Sequence, residues 1–438
     1  MKALKGIMAV LLSAAIGAGL SVPAMASQGD ILSIDGKNGK IFLNADAEGR
    51  NYPLKYLYDI SFWYKQDATT PEPTLRRVIN FLSTGRQEGY AARVDDDLFI
   101  NSALGEKTAE IWYPHMLYED QMDQGLLDYW AEKGLKKEAF YDDENGDNIE
   151  GDYFVYTPTS AEQPENGYPV IVLFHGGGEV AYQTETFGFC DIAAREGIIL
   201  VAADTWGSGS TDEEFSMNAN NIIEALKENY PVDESRIYSV GSSGGGNSAM
   251  RFAIANIDEI AAAAVMDQPV SLNTRWFTAT DEQIAEMQEK TLPMVWVGGT
   301  ADMYGLHGIL NDNGRGEMKT DFFETSEGAE EQFISGWNSV MKAFGIEGKD
   351  ITSRLEFMEN PANKAEELDG YPFDNVSDID TSGTSPIYEC TMNGNEDMAL
   401  YLVQNRPHMP CGYDAENIWN FISKYNRNAE TKKSEKMN

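Results

Sequence analysis

From about residue 150 onward the chain alternates short, almost continuously apolar runs with amphipathic stretches. No other feature restricts its fold as much. The apolar runs are Tyr168–Phe174, Ile198–Ala203, Arg236–Val240, Ala261–Met266 and Leu292–Val297, with stretches such as Asn218–Glu228 and Asn247–Ile257 between them. Strands that are apolar on both sides and separated by helices predict a parallel sheet covered on both faces. A chain of 438 residues has room for one large domain of this kind and an added layer.

Residues 27–149 read as an extension or small accessory domain of unknown fold ahead of a main domain at 150–425. Within the extension, Asp30–Leu43 predicts a strand pair turning at Lys37-Asn38-Gly39, and Pro73–Ser83 a short helix with proline near its start. Asp96–Pro114 predicts another hairpin, and His115–Gly134 a helix. Asp142–Asp147 resembles a calcium loop, but its glycine falls at the wrong offset, so a polar hairpin turn is the better reading. Residues 305–330 and 359–386 read as long loops, and the polar, basic segment 426–438 as a disordered tail.

The chemistry concentrates in Gly241-Ser242-Ser243-Gly244-Gly245, directly after the strand Arg236–Val240 and before the helix that follows. Gly-x-Ser-x-Gly between strand and helix is the pattern of a nucleophile elbow, a strained turn that leaves the serine Oγ exposed. The helix start also brings backbone N–H groups and a positive dipole end to a developing oxyanion. The same glycines loosely satisfy a dinucleotide pattern. That reading needs the first strand of the domain and an acid about 20 residues on, and it fails on the first requirement.

Upstream, the strand Val170–Phe174 runs into His175-Gly176-Gly177-Gly178. A loop of this type lends backbone N–H groups to an oxyanion hole, with Gly177, Gly178 and Gly244 as the expected donors and His175 as a brace. The strand Leu292–Val297 leads to Asp302, and Ala261–Met266 leads to Asp267. Either carboxylate stands at a strand end from which a triad acid can reach a histidine, and Asp302 is the first choice. Of the four histidines, His115 precedes the sheet, His175 belongs to the glycine loop and His307 sits too close to Asp302. His408, after the strand Met398–Gln404 and before the helix Ala415–Ser423, is the expected base. Trp206 and Trp276 follow strand ends, where they either line a substrate pocket or belong to the core.

Residues 1–26, with Lys2 and Lys5, an apolar run and the ending Ala24-Met25-Ala26, read as a cleaved secretory signal. Two lysines and no acids leave with it, so the net charge of −38 becomes −40. A surface this anionic argues against nucleic acid and against anionic membranes as partners. Cys190 is expected as a buried thiol. Cys390 and Cys411 flank a hairpin and could pair, which would contribute about 3 kcal/mol in the chain-entropy model. No metal, nucleotide or flavin signature is present, so no cofactor is expected.

Val170–Glu179, Arg236–Met250, Pro293–Asp302 and Tyr388–Tyr425 together resemble the polyhydroxybutyrate depolymerase and feruloyl-esterase group of α/β-hydrolases. The last stretch carries most of the likeness, with the Cys390 hairpin, His408-Met409-Pro410 and Ile418-Trp419-Asn420-Phe421. The resemblance implies an α/β-hydrolase fold and an exported serine carboxylic-ester hydrolase without cofactor. It further implies an acyl-enzyme formed on Ser243 with Asp302 and His408, and a polysaccharide-linked ester or polyester as substrate. A peptidase on the same nucleophile and a non-catalytic glycan-binding protein are the alternatives. The chain departs from the group at Gln404-Asn405-Arg406-Pro407, where a glycine-rich run is usual, and in a long insertion after Asp302.

Overall fold

The computed structural model describes residues 32–35, 40–43, 122, 124–141, 153–159, 162–176, 184–185, 187–203, 212–274, 276–299, 329–352, 373–380, 387–403 and 412–437. In chain order the first strands are β1 (Leu32–Asp35) and β2 (Lys40–Leu43), an antiparallel pair in register from Leu32↔Leu43 to Asp35↔Lys40. This is the hairpin expected at Asp30–Leu43. The segments Pro73–Ser83, Asp96–Pro114 and Asp142–Asp147 lie outside the described residues.

Next come α1 (Gln124–Glu132), β3 (Leu135–Phe140), β4 (Tyr153–Pro158), β5 (Tyr168–Phe174), α2 (Phe189–Glu196) and β6 (Ile199–Ala203). These lead to α3 (Asp212–Asn229), β7 (Val232–Ser242), α4 (Gly244–Ala255), β8 (Ile260–Met266), α5 (Asp281–Lys290) and β9 (Met294–Gly299). The chain continues through α6 (Ala329–Ala343), β10 (Asn375–Asp380), β11 (Ile387–Met392), β12 (Asn395–Val403), α7 (Gly412–Ile422), β13 (Tyr425–Arg427) and β14 (Ser434–Lys436).

Ten strands form one sheet in the order β10-β11-β12-β9-β8-β7-β5-β6-β4-β3. The six strands from β12 to β6 run parallel, while β3, β4, β10 and β11 extend the two edges antiparallel. A mostly parallel sheet that doubles back on its early strands, with helices on both faces, is the α/β-hydrolase arrangement. Every residue of β5, β6 and β8 is buried. Alternate side chains of one strand feed different layers. Val170, Val172 and Phe174 join the layer under α3, α4, α5 and α6, and Ile171 and Leu173 the layer under α1, α2 and α7. At about 25 cal/mol per Å² of apolar surface removed from water, these two layers are the main source of stability.

Three expectations are corrected. The boundary at 149/150 cuts the β3–β4 hairpin, which pairs over six residues from Leu135↔Pro158 to Phe140↔Tyr153. The sheet domain therefore reaches back at least to α1. β3 was not legible because Lys136-Lys137-Glu138 hides its alternation, and Lys137 is buried all the same. Likewise, part of the loop expected at 359–386 is the edge strand β10, whose Val376 to Ile379 remain exposed, as befits a solvated edge.

The tail expected to be disordered forms the β13–β14 hairpin instead. Buried Arg427 donates to the carbonyls of Ile260, Lys290, Thr291 and Lys432, at 2.8 to 3.0 Å. Composition misleads here because one guanidinium with four carbonyl partners ties down a segment that buries little apolar surface. Cys390 is a free thiol that faces the core from β11, where burial pushes its pKa up to about 12. Cys411 itself lies outside the described residues.

Candidate active site

The parallel strands end level with one another. Phe174 of β5 is in register with Gly241 of β7 and Ala203 of β6, and Ser242 of β7 with Met266 of β8. These ends form one rim of the sheet, and in open α/β folds ligands bind outside such a rim.

Ser243 is the single residue between β7 and α4. It has φ 55° and ψ −118°, a backbone conformation that side-chain-bearing residues rarely adopt. Two neighbours must be glycine for this turn to exist. A Cβ on Gly241 would lie 2.1 Å from the Gly245 carbonyl oxygen, and a Cβ on Gly245 only 2.2 Å from the Phe174 carbonyl oxygen and 2.3 Å from that of His175. Gly245 therefore seats the first turn of α4 against the end of β5, where the glycine loop begins. The Ser243 turn and the start of the expected oxyanion loop meet through that contact. The Gly244 N–H opens α4, among the donors that a helix start leaves for a ligand.

His175 is buried, with Nδ1 2.8 Å from the Gly176 carbonyl oxygen. A carbonyl can only accept, so this ring nitrogen carries the proton and donates. The histidine braces the glycine loop, as expected.

The end of β8 grips the elbow from the other side. The Ser243 N–H donates to the Met266 carbonyl at 2.9 Å, the Ser242 hydroxyl to Asp267 Oδ2 at 2.8 Å, and Gln268 Nε2 to the Ser243 carbonyl at 2.7 Å. Asp267 is fully buried, has φ 55° and donates its N–H to the Val297 carbonyl at 2.9 Å. Sequence reasoning weighed Asp267 only as a triad acid. Its contact with Ser242 carried no signal in the pattern, because it depends on which strands are neighbours.

Asp302, His408, Gly177, Gly178 and Trp206 lie outside the described residues. The strands after which Asp302 and His408 follow are β9 and β12. They are parallel neighbours in register at Gly299↔Val403 and lie on the same side of β7 as β8. Trp276 follows Asp267 in a loop stitched to α4 by the hydroxyl of Thr274 on Asn247. At 42% exposure it is a surface residue and not part of the core.

A second group of polar side chains lies beneath the β3–β4 edge. Glu185 pairs with Lys137 at 2.6 Å, and both side chains are 0% exposed. Trp130 Nε1 donates to the same carboxylate at 3.0 Å, and the Tyr156 hydroxyl also donates to it. Burial, followed by the nearby Glu185 and Asp191 charges, pushes the Cys190 thiol well above its usual range. This cysteine is therefore no competing nucleophile.

No family model matches the chain, and no curated protein matches it. Solved structures similar to it include the acetyl xylan esterase from Aspergillus awamori, at 13% identity and TM-score 0.40, over 66% of this chain and 99% of that one. An S-formylglutathione hydrolase from Agrobacterium tumefaciens is similar at 14% identity and TM-score 0.37, over 66% and 95%. The feruloyl esterase module from Clostridium thermocellum, complexed with sinapinate, is similar at 17% identity and TM-score 0.31, over 39% and 69%.

Proposed function

We propose that this chain is an exported serine carboxylic-ester hydrolase. One observation carries the reading. Ser243 stands at φ 55° between the end of a central parallel strand and the start of a helix, and that helix start is pressed by Gly245 onto the origin of the His175 glycine loop. In this reading the serine hydroxyl and the backbone N–H groups of the helix start and of the glycine loop serve the same space, as acyl transfer requires.

In this reading Ser243 Oγ attacks the ester carbonyl while His408 Nε2 takes its proton. Asp302 holds the imidazole in the tautomer that can accept it. The N–H groups of Gly244 and of Gly177 and Gly178 stabilise the tetrahedral oxyanion. The intermediate collapses to an acyl-enzyme as His408 returns the proton to the departing alcohol, and water then releases the acid. The residues shared with the depolymerase and feruloyl-esterase group favour an acyl or hydroxycinnamoyl ester on a polysaccharide, or a polyester. The basic and apolar start of the chain, ending in Ala24-Met25-Ala26, supports export.

The test is reaction with a fluorophosphonate, with the modified peptide identified by mass spectrometry. Stoichiometric labelling on Ser243 that disappears in His408→Ala supports the reading. A folded protein that remains unlabelled, and that hydrolyses none of a panel of acetyl, feruloyl and hydroxybutyryl esters, defeats it.

A further inference from the structure

The reactive conformation of Ser243 is expensive for a residue with a side chain, and such strain persists only where the surroundings over-determine it. The glycines at 241 and 245 permit the turn but do not hold it. What holds it is the last residue of β8 and the two that follow, where Met266, Asp267 and Gln268 each bond Ser242 or Ser243. Two of these, at the Ser243 N–H and carbonyl, clamp the peptide groups on either side of the nucleophile. The third joins two buried side chains one residue before it, Ser242 at 3% exposure and Asp267 at 0%. Asp267 shares the φ of 55°, so two strained residues stand one past the ends of neighbouring parallel strands, β7 and β8.

We propose that Asp267 is a positioning residue that acts through Ser242. With Gln268, it fixes the orientation of the nucleophile, leaving the triad acid to be drawn from the β9 end. This rests on the reading of Ser243 as the nucleophile. The Ser242 hydroxyl has one proton, which it gives to Asp267. Its loss would let the elbow relax, and a displacement near 1 Å at a reacting atom typically costs about 10²-fold in rate.

The test compares Ser242→Ala, Asp267→Asn and the double variant, by fluorophosphonate labelling rate and by kcat and KM on an ester. Ser242→Ala is expected to lower the labelling rate and kcat by about 10²-fold with KM nearly unchanged. Asp267→Asn keeps an oxygen that can accept from Ser242, so it is expected to stay within about tenfold of the parent. The double variant should fall no lower than Ser242→Ala, because one interaction cannot be removed twice. Loss of about 10⁴-fold in Asp267→Asn with Ser242→Ala unchanged would make Asp267 the triad acid and overturn the proposal. Parental rates in all three variants would overturn it as well. If Ser242→Ala does not fold, Gln268→Leu removes the clamp on the Ser243 carbonyl and should also slow labelling, and parental labelling there would count against the proposal. If the parent itself is not labelled, the hydrolase reading fails separately. Hydrogen exchange at the Ser243 amide then decides the brace: exchange faster in Ser242→Ala than in the parent keeps it, and equal exchange removes it.

Discussion

Two buried carboxylates in this molecule are held in opposite ways. Glu185, under the β3–β4 edge, is met by an ammonium, a phenol and an indole, so its charge is neutralised where it lies. Asp267, at the centre of the rim, is engaged by the hydroxyl of Ser242, the residue before Ser243. The first arrangement ties α1, β3, β4 and the segment before α2 into one edge, and its product is rigidity. The second sets a buried carboxyl with strained backbone against Ser242, and its product is the fixed backbone of the turn at Ser243. A charge at full burial is tolerable in either case only with partners in good geometry. Which partners are chosen separates an edge that holds the fold from a centre at the proposed site.

That contrast breaks most completely at the centre. Ser243→Ala is expected to lower ester turnover by about 10⁶-fold while leaving the unfolding midpoint near that of the parent, measured by steady-state kinetics and thermal denaturation. Retention of turnover would remove the centre from the chemistry. Gly245→Ala is the next largest effect, because its Cβ would fall 2.2 Å from the Phe174 carbonyl oxygen. The first turn of α4 must then leave the end of β5. Both turnover and stability should drop, the latter by about 3 kcal/mol or more in denaturant titration, in the range of severe overpacking.

At the edge the expected pattern inverts. Lys137→Met leaves Glu185 without its cation at zero exposure and should cost about 3–5 kcal/mol of stability. The folded fraction should keep its kcat. Pairing it with Glu185→Leu should recover most of the loss, since an apolar replacement of both partners is often neutral. A kcat that falls in step with stability would show that the edge and the centre are coupled.

The smallest effect concerns pH at the other edge. Burial raises the pKa of Asp374, but the Lys349 ammonium at 2.5 Å and the Asn393 N–H at 2.9 Å outweigh it, and the net shift is downward. A carboxyl whose folded pKa lies below its unfolded one stabilises the fold above the ordinary aspartate range. That contribution is lost as pH falls through the lowered value. Asp374→Asn should therefore flatten the acid limb of the stability curve and leave the neutral region nearly unchanged. An unchanged acid limb would place acid sensitivity elsewhere.

Legibility followed the same division between centre and edge. Strands β5, β6, β8 and β9, and the inner half of β7, were readable because burial on both faces makes them nearly all apolar, and period and length then suffice. Ser243 was readable because a strained turn between strand and helix demands glycines at fixed offsets, and those stand in the sequence as Gly241 and Gly245. β3 was not readable, since Lys137 answers Glu185 from 48 positions away. β10 was not, because a solvated edge strand has no apolar face to announce it. The tail was misread because Arg427 is satisfied by carbonyls of β8 and of the segment before β9, which no local pattern encodes.

The sequence by itself therefore determined the α/β class, the glycine-flanked serine turn at Ser243 and the strand that leads into it, all of which depend on residues close together along the chain. Tertiary structure alone decided that Gly245 meets the end of β5, that Asp267 holds Ser242, and that the domain starts before β3 and closes on the β13–β14 hairpin. Each of these is a contact between segments brought side by side by strand order, and hydrogen bonding and steric exclusion act across space without regard to separation in sequence.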